Sequence, residues 1–282
     1  MRPSHSHLLL AFIGFTLANT NAVFAGNTTE WHQTAGGNVR IVLESAPGDE
    51  NGVLPATMRG GIEIQLDDGW HTYWRDPGSS GIPPMLQWSP GSNIRDATIH
   101  FPAPQWVQDD YGGYAGYTEP VSLPITFETG GRSTARLQGM LLLGICEVIC
   151  IPVALPFDMN IKPSTGSSIT DIIVRDAFAQ LPIKMPGSML SVGFNDDGFW
   201  VSPEPSATEW ISTAVDAVFV HLEGAQVSYP KRMTKDDGGT IFTSKINHMT
   251  GDETLRQMSI TAVAGDKAYE AVIEVDMPAK KN

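Results

Sequence analysis

Cysteine is scarce in this chain, with two in 282 residues, and the scarcity limits the chemistry. A structural zinc site takes four ligands, and no local spacing supplies two more beside this pair. The histidines outside the amino-terminal segment and the aromatic run at 70–74 (His32, His100, His221 and His248) are scattered. The eleven methionines form no M-x-x-M cluster. Basic residues are also few: 18 Lys and Arg stand against 31 Asp and Glu, for a formal charge of −13. Binding to nucleic acid needs clustered cations, and adhesion to anionic lipid needs them too, so neither is expected. Long apolar runs are missing as well. No stretch approaches the roughly 20 residues that span a bilayer, and Leu141 to Ile151 is interrupted by Gly144 and Glu147. There is no G-x-S-x-G, Walker loop or dinucleotide fingerprint, so a hydrolase or nucleotide-dependent enzyme is not expected.

What is present begins with an export signal. Arg2 and two histidines precede an apolar run from Leu8 to Leu17, and Val23-Phe24-Ala25 offers a cleavage site before Gly26. Residues 1–25 are therefore read as a signal peptide, and the remainder as an extracytoplasmic protein. Glycine (28) and proline (20) are frequent and dispersed, the texture of many short strands joined by turns. Strands are expected at 38–46, 62–66, 85–88, 97–101, 120–128, 136–145 and 151–161. Pro124 suggests an edge strand or bulge. These segments predict an all-β, immunoglobulin-like sandwich over residues 27–162. A polar connector and a helix capped at Ser168 or Thr170 follow over 163–182. The helix is expected to bury Ile172, Ile173, Ala177 and Leu181. A second, smaller β-sandwich is expected over 183–279, with strands near 188–194, 198–202, 216–222, 240–246, 255–264 and 268–276. Asp196-Asp197-Gly198 reads as its first hairpin turn.

Cys146 and Cys150 lie in Leu-Gly-Ile-Cys-Glu-Val-Ile-Cys-Ile-Pro, from Leu143 to Pro152. Residues four apart in a strand are separated by about 13 Å, whereas a disulfide needs Cα atoms about 4.4–6.8 Å apart. Pairing therefore requires the chain to reverse. A helical turn would also bring them close, but Gly144, Pro152 and the β-branched Val148, Ile149 and Ile151 disfavour a helix. The cysteines are placed at the ends of two adjacent strands joined by Glu147-Val148-Ile149. A loop this small removes little entropy from the unfolded chain. Spacing alone leaves two readings open, a modest hairpin staple and a redox pair.

The run Gly69-Trp70-His71-Thr72-Tyr73-Trp74-Arg75-Asp76-Pro77-Gly78 resembles the N-terminal periplasmic domain of the thiol:disulfide interchange protein DsbD family. The resemblance continues through Pro83-Pro84 and Trp88, Asp109-Asp110-Tyr111-Gly112, Tyr117, and Leu123-Pro124-Ile125. It ends in Cys146, Cys150-Ile151-Pro152, so the matches run in order over about residues 38–160. The subgroup it looks most like is the suppressor-of-copper-sensitivity (ScsB-like) proteins.

The resemblance implies thiol–disulfide exchange at Cys146 and Cys150, without a metal or organic cofactor. It implies Cys150 as the attacking thiol and Cys146 as the resolving one. Asp109, Asp110, Tyr111 and Gly112 would form a cap loop over the pair, with Gly112, Gly113 and Gly116 lending it mobility. Asp109 or Asp110 would shuttle a proton. The partners implied are periplasmic thioredoxin-like proteins. Because the sequence shows neither a polytopic membrane segment nor a thioredoxin-like domain, a separate inner-membrane electron-transfer protein is expected to reduce it. A monomer is expected. Trp70, His71, Tyr73 and Trp74 are read as packing. Two other functions compete: Cu(I) binding by the two soft thiolates, with a role in copper tolerance, and a secreted binding module with a purely structural disulfide. The second region carries no chemical motif and is expected to orient the first or dock a partner.

Overall fold

The computed structural model describes residues 27–277, apart from 79–80, 95, 109–112, 165–167, 210–214, 237 and 252. The expected signal peptide, residues 1–25, lies outside the described residues. In chain order the strands begin with β1 (His32–Thr34), β2 (Gly37–Leu43), β3 (Thr57–Leu66), β4 (His71–Tyr73), β5 (Met85–Trp88) and β6 (Ala97–Ile99). They continue with β7 (Gln105–Val107), β8 (Tyr114–Tyr117), β9 (Val121–Glu128), β10 (Ala135–Cys146) and β11 (Cys150–Ile161). Helix α1 (Ile169–Ala179) follows. Then come β12 (Ile183–Lys184), β13 (Leu190–Phe194), β14 (Gly198–Pro203), β15 (Ala217–Leu222) and β16 (Ala225–Val227). The last are β17 (Lys231–Thr234), β18 (Thr240–Met249), β19 (Leu255–Ala264) and β20 (Lys267–Asp276). Among the described residues no helix is long and apolar enough to cross a membrane.

The chain is all-β and immunoglobulin-like. Toward the amino terminus, a sheet of order β1-β2-β3-β9-β6 faces a sheet of order β11-β10-β4-β8-β7. Strand β5 pairs with β10 on the same side as β4, further down the strand. Alternation produces the core. Strand β11 buries Val153, Leu155, Phe157, Met159 and Ile161, while Pro152, Ala154 and Pro156 face outward. Ile62, Ile64, Leu123, Ile125 and Phe127 meet them from the other sheet in one apolar cluster. Each such side chain contributes about 1.5–3 kcal/mol when fully buried. The carboxy-terminal strands repeat the principle with sheets β12-β20-β19-β15 and β13-β14-β18-β16, and β17 also pairs with β18. Their core gathers Phe199, Val201, Phe242, Met258 and Ile260.

Three expectations need correction. Pro124 is neither on an edge strand nor in a bulge, because β9 runs between β3 and β6 with unbroken register. The carbonyl of Pro124 accepts a bond from His100 N–H at 2.7 Å, so its missing N–H falls just where β6 ends. Nothing in the ladder is lost there. The helix buries Thr170, Val174 and Ala177, whereas Ile172 is exposed. The face turns because α1 lies against β2, β3 and β9. There Asp171 accepts bonds from Ser45 N–H at 2.6 Å and Ser168 N–H at 2.8 Å. Burial pushes the Asp171 carboxyl up, but these donors prevail and hold it below its ordinary range. Finally, Gly116 lies within β8 rather than in a loop.

Candidate functional site

Strands β10 and β11 pair without interruption from Ala135 opposite Ile161 to Cys146 opposite Cys150. Each is 12 residues long. Glu147, Val148 and Ile149 close the hairpin, and Glu147 N–H reaches Ile149 C=O at 3.4 Å. The two cysteines face each other across the last rung, Cα atoms 4.1 Å apart, and form a disulfide. The chain reversal that the spacing demanded is this turn.

Their surroundings are unequal. Strand β11 is the edge of its sheet, and β10 has β4 on its other side. Cys146 is therefore 1% exposed, while Cys150 lies open on the edge. Opposite Cys146 in register, on β4, is His71. The imidazole stacks on Tyr114 with centroids 4.1 Å apart. The Tyr73 ring meets both edge-on, at 5.4 Å from His71 and 5.5 Å from Tyr114. Val107 packs against the same cluster. The Tyr73 hydroxyl lies 2.8 Å from Cys150 Sγ. A disulfide sulfur carries no proton, so the hydroxyl is the donor. The same O–H can stay on sulfur after reduction, where it favours the thiolate.

The spacing puts Cys146 and Cys150 at this turn, and the pattern reads His71 and Tyr73 more readily as packing than as a site. The structure brings both against the cysteine pair. The signal was present in the run Trp70–Trp74. A period of two puts His71 and Tyr73 on one face and Thr72 and Trp74 on the other. Thr72 is buried and its hydroxyl donates to Gly144 C=O at 2.8 Å, while Trp74 enters the main core. The four cap residues, Asp109, Asp110, Tyr111 and Gly112, lie outside the described residues. The hairpin that carries them leaves the cluster after Val107 and returns to it at Tyr114. Gly113 has φ +90°, and a Cβ there would sit 2.7 Å from Trp106 Cζ2.

The run that forms the site also meets the carboxy-terminal strands. Trp74 packs edge-on against Phe219 at 6.0 Å, and Trp106 stacks on Tyr229 at 4.3 Å. The Arg75 guanidinium lies 4.8 Å over Trp74 and pairs with Glu270, which Lys184 also engages. Burial pushes the Glu270 carboxyl up, but Arg75 and Lys184 outweigh it and hold the carboxyl below its ordinary range. Asp76 faces His221 at 3.7 Å. Among the described residues, no three His, Cys, Asp or Glu side chains gather where they could hold a metal ion.

The class these features define is an immunoglobulin-like domain with a cysteine pair at a hairpin tip. Residues 50–159 form the stretch that matches the family described as thiol:disulfide interchange protein DsbD, N-terminal. It includes both cysteines and the aromatic run. No curated protein matches the sequence. The crystal structure of the N-terminal periplasmic domain of ScsB from Proteus mirabilis is similar, with a TM-score of 0.65 and 18% identity. The match covers 90% of this chain and 100% of that one. At that identity the likeness establishes the shared fold.

Proposed function

We propose that this chain is a periplasmic thiol–disulfide exchange protein, and that residues 27–162 are its redox domain. Its Cys146/Cys150 pair takes two electrons from a separate inner-membrane protein and passes them to thioredoxin-like partners. The observation that supports this most is the asymmetry of the bridge: Cys150 is exposed on an edge strand, while Cys146 is buried beside His71, Tyr73 and Tyr114.

In this reading a donor thiolate attacks Cys150 Sγ. The bond to Cys146 breaks, and Cys146 leaves as a thiolate. That thiolate takes up a proton, and supplying it is the role the resemblance implies for Asp109 or Asp110. The donor's second thiolate then attacks its own sulfur in the mixed disulfide and releases Cys150. The donor ends oxidised and the chain reduced by two electrons. Onward transfer is the reverse: Cys150 attacks the acceptor's disulfide and Cys146 resolves the intermediate. The role of a cap over the cysteines falls, as the resemblance implies, to Asp109, Asp110, Tyr111 and Gly112. The second sandwich, residues 183–279, orients the first across the 163–182 connector, and the protein works as a monomer without a cofactor.

The deciding measurement is the reduction potential of the pair in glutathione or dithiothreitol buffers with thiol trapping. A bridge that closes so small a loop and leaves Cys150 on an open strand edge should fall within about −120 to −270 mV, the span of exchange proteins. A value below about −300 mV marks a structural bridge and overturns the reading. Tight Cu(I) binding by the reduced pair with no exchange kinetics would replace it with a copper carrier.

A further inference from the structure

The hairpin turn carries residues that its fold does not need. Three-residue connections between strands favour Gly, Asn, Asp and Ser. Here the connection is Glu147-Val148-Ile149, and both apolar side chains point to solvent. Val148 is 76% exposed and Ile149 72% exposed, the highest values among the exposed large apolar side chains of the described residues. They adjoin the exposed Cys150 in the chain. Exposed β-branched residues in a tight turn contradict the local rules that the rest of the hairpin obeys, and such contradictions concentrate at functional sites. Beside them the surface is acidic. Glu147 is exposed, and so are Asp67 and Asp68 in the turn that ends at Trp70. That turn abuts the tip: a Cβ on Gly69 would lie 3.8 Å from Glu147 Oε1. The one cation of the hairpin, Arg136, sits near the far end and is held by Asp158.

We propose that Val148 and Ile149 form an apolar lip, rimmed by Glu147, Asp67 and Asp68, that selects protein thiols whose reactive cysteine lies in apolar surface edged by Lys or Arg. The inference rests on the exchange function proposed above and names the partner surface for that same site. Ile149 immediately precedes Cys150, so a partner that reaches Cys150 from the hairpin end meets this tip. Covering Val148 and Ile149 removes apolar area from water, and the acidic rim steers a cationic partner into register. A small thiol gains from neither.

The test uses the mature protein and two synthetic peptide thiols of equal length. One carries its cysteine among Leu, Phe and Lys, and the other among Ser, Gly and Glu. Dithiothreitol serves as the reference reductant. The wild type should react at least about tenfold faster with the apolar, cationic peptide, with the excess falling as salt rises. Val148→Ser with Ile149→Ser should erase most of that preference. Asp68→Asn with Glu147→Gln should erase its salt dependence. All should keep the dithiothreitol rate. Equal rates for both peptides in the wild type overturn the lip, while failure of dithiothreitol to reduce the pair overturns the exchange function itself. Reversible self-association in sedimentation, lost in the Val148→Ser, Ile149→Ser variant, would instead assign the lip to a second copy and overturn the proposal. Binding to anionic or neutral vesicles with the same dependence would assign it to a membrane and likewise overturn the proposal.

Discussion

At the tip of the β10–β11 hairpin, Cys150 stands on an edge strand while Cys146 has β4 at its back. The thiolate is the reactive form of cysteine, and exposure decides which thiol a partner can reach. A Cys146→Ser variant should therefore accumulate mixed disulfides through Cys150, detected by mass shift. A Cys150→Ser variant, left with the buried thiol, should alkylate much more slowly. Tyr73 adds a finer effect. Its hydroxyl is within 2.8 Å of Cys150 Sγ, so in the reduced protein it lowers the thiol's proton affinity. Tyr73→Phe keeps the ring and removes the donor. A hydrogen bond contributes about 0.5–1.5 kcal/mol, so alkylation of Cys150 at neutral pH should slow by about 2- to 12-fold. The pH–rate profile should move to higher pH. A profile that stays in place would show that the hydroxyl does not act on the thiolate. Sequence pattern exposed part of this site: the two cysteines at a strand-to-strand turn followed from spacing and β-branching. The pairing of His71 with Cys146 did not, because the register between β4 and β10 joins segments far apart in the chain and leaves no local trace.

Among the elements, β8 shows how the aromatic cluster is held. Gly116 is paired with Tyr73, and a Cβ there would lie 2.2 Å from Thr72 C=O. The absent side chain lets β4 and β8 approach, and that approach sets Tyr114 on His71. Gly116→Ala must push the two strands apart. The cost should be about 1–3 kcal/mol, as for other overpacking changes, read as a lower denaturation midpoint with an unchanged slope. Reduction of the pair by dithiothreitol should quicken as the ring cluster loosens over Cys146. An unchanged midpoint would mean that the strands already have room. The strands themselves were legible because alternation is a local signal: β10, β11, β14, β19 and β20 fall within a few residues of where the pattern put them. The helix was legible in position but not in facing. Its contacts with β2, β3 and β9 chose Val174 over Ile172 for burial, and a short helix with apolar residues on several sides does not encode that choice.

For the whole molecule, the alternation behind both sets of sheets was legible in the sequence, but the way the amino-terminal and carboxy-terminal sheets meet was not. The junction depends on single residues spread along the chain: Trp74 against Phe219, Trp106 against Tyr229, Arg75 and Lys184 on Glu270, and Asp76 facing His221. Arg75 and Asp76 follow directly on the aromatic run that flanks the disulfide, so the carboxy-terminal strands bear on the site through the chain that continues from β4. Glu270 is 5% exposed, and its carboxyl is held below its ordinary value near 4.5 by Arg75 and Lys184 against the opposing effect of burial. A carboxylate with a depressed folded pKa contributes stability that is fully present above its unfolded pKa. That contribution fades as pH falls through the folded one. Glu270→Gln should therefore destabilise the protein at neutral pH by about 1.5–3 kcal/mol, the range for hydrogen bonds to charged groups. The gap between variant and wild type should stay constant above the ordinary carboxylate range and narrow as pH falls through the lowered folded-state pKa. Thermal melts of both proteins from pH 3 to 8 would show it. If the gap is absent at pH 7, the junction does not depend on this ion pair. The stacked Trp106 and Tyr229 and the Trp74–Phe219 contact would then join the amino-terminal and carboxy-terminal strands without it.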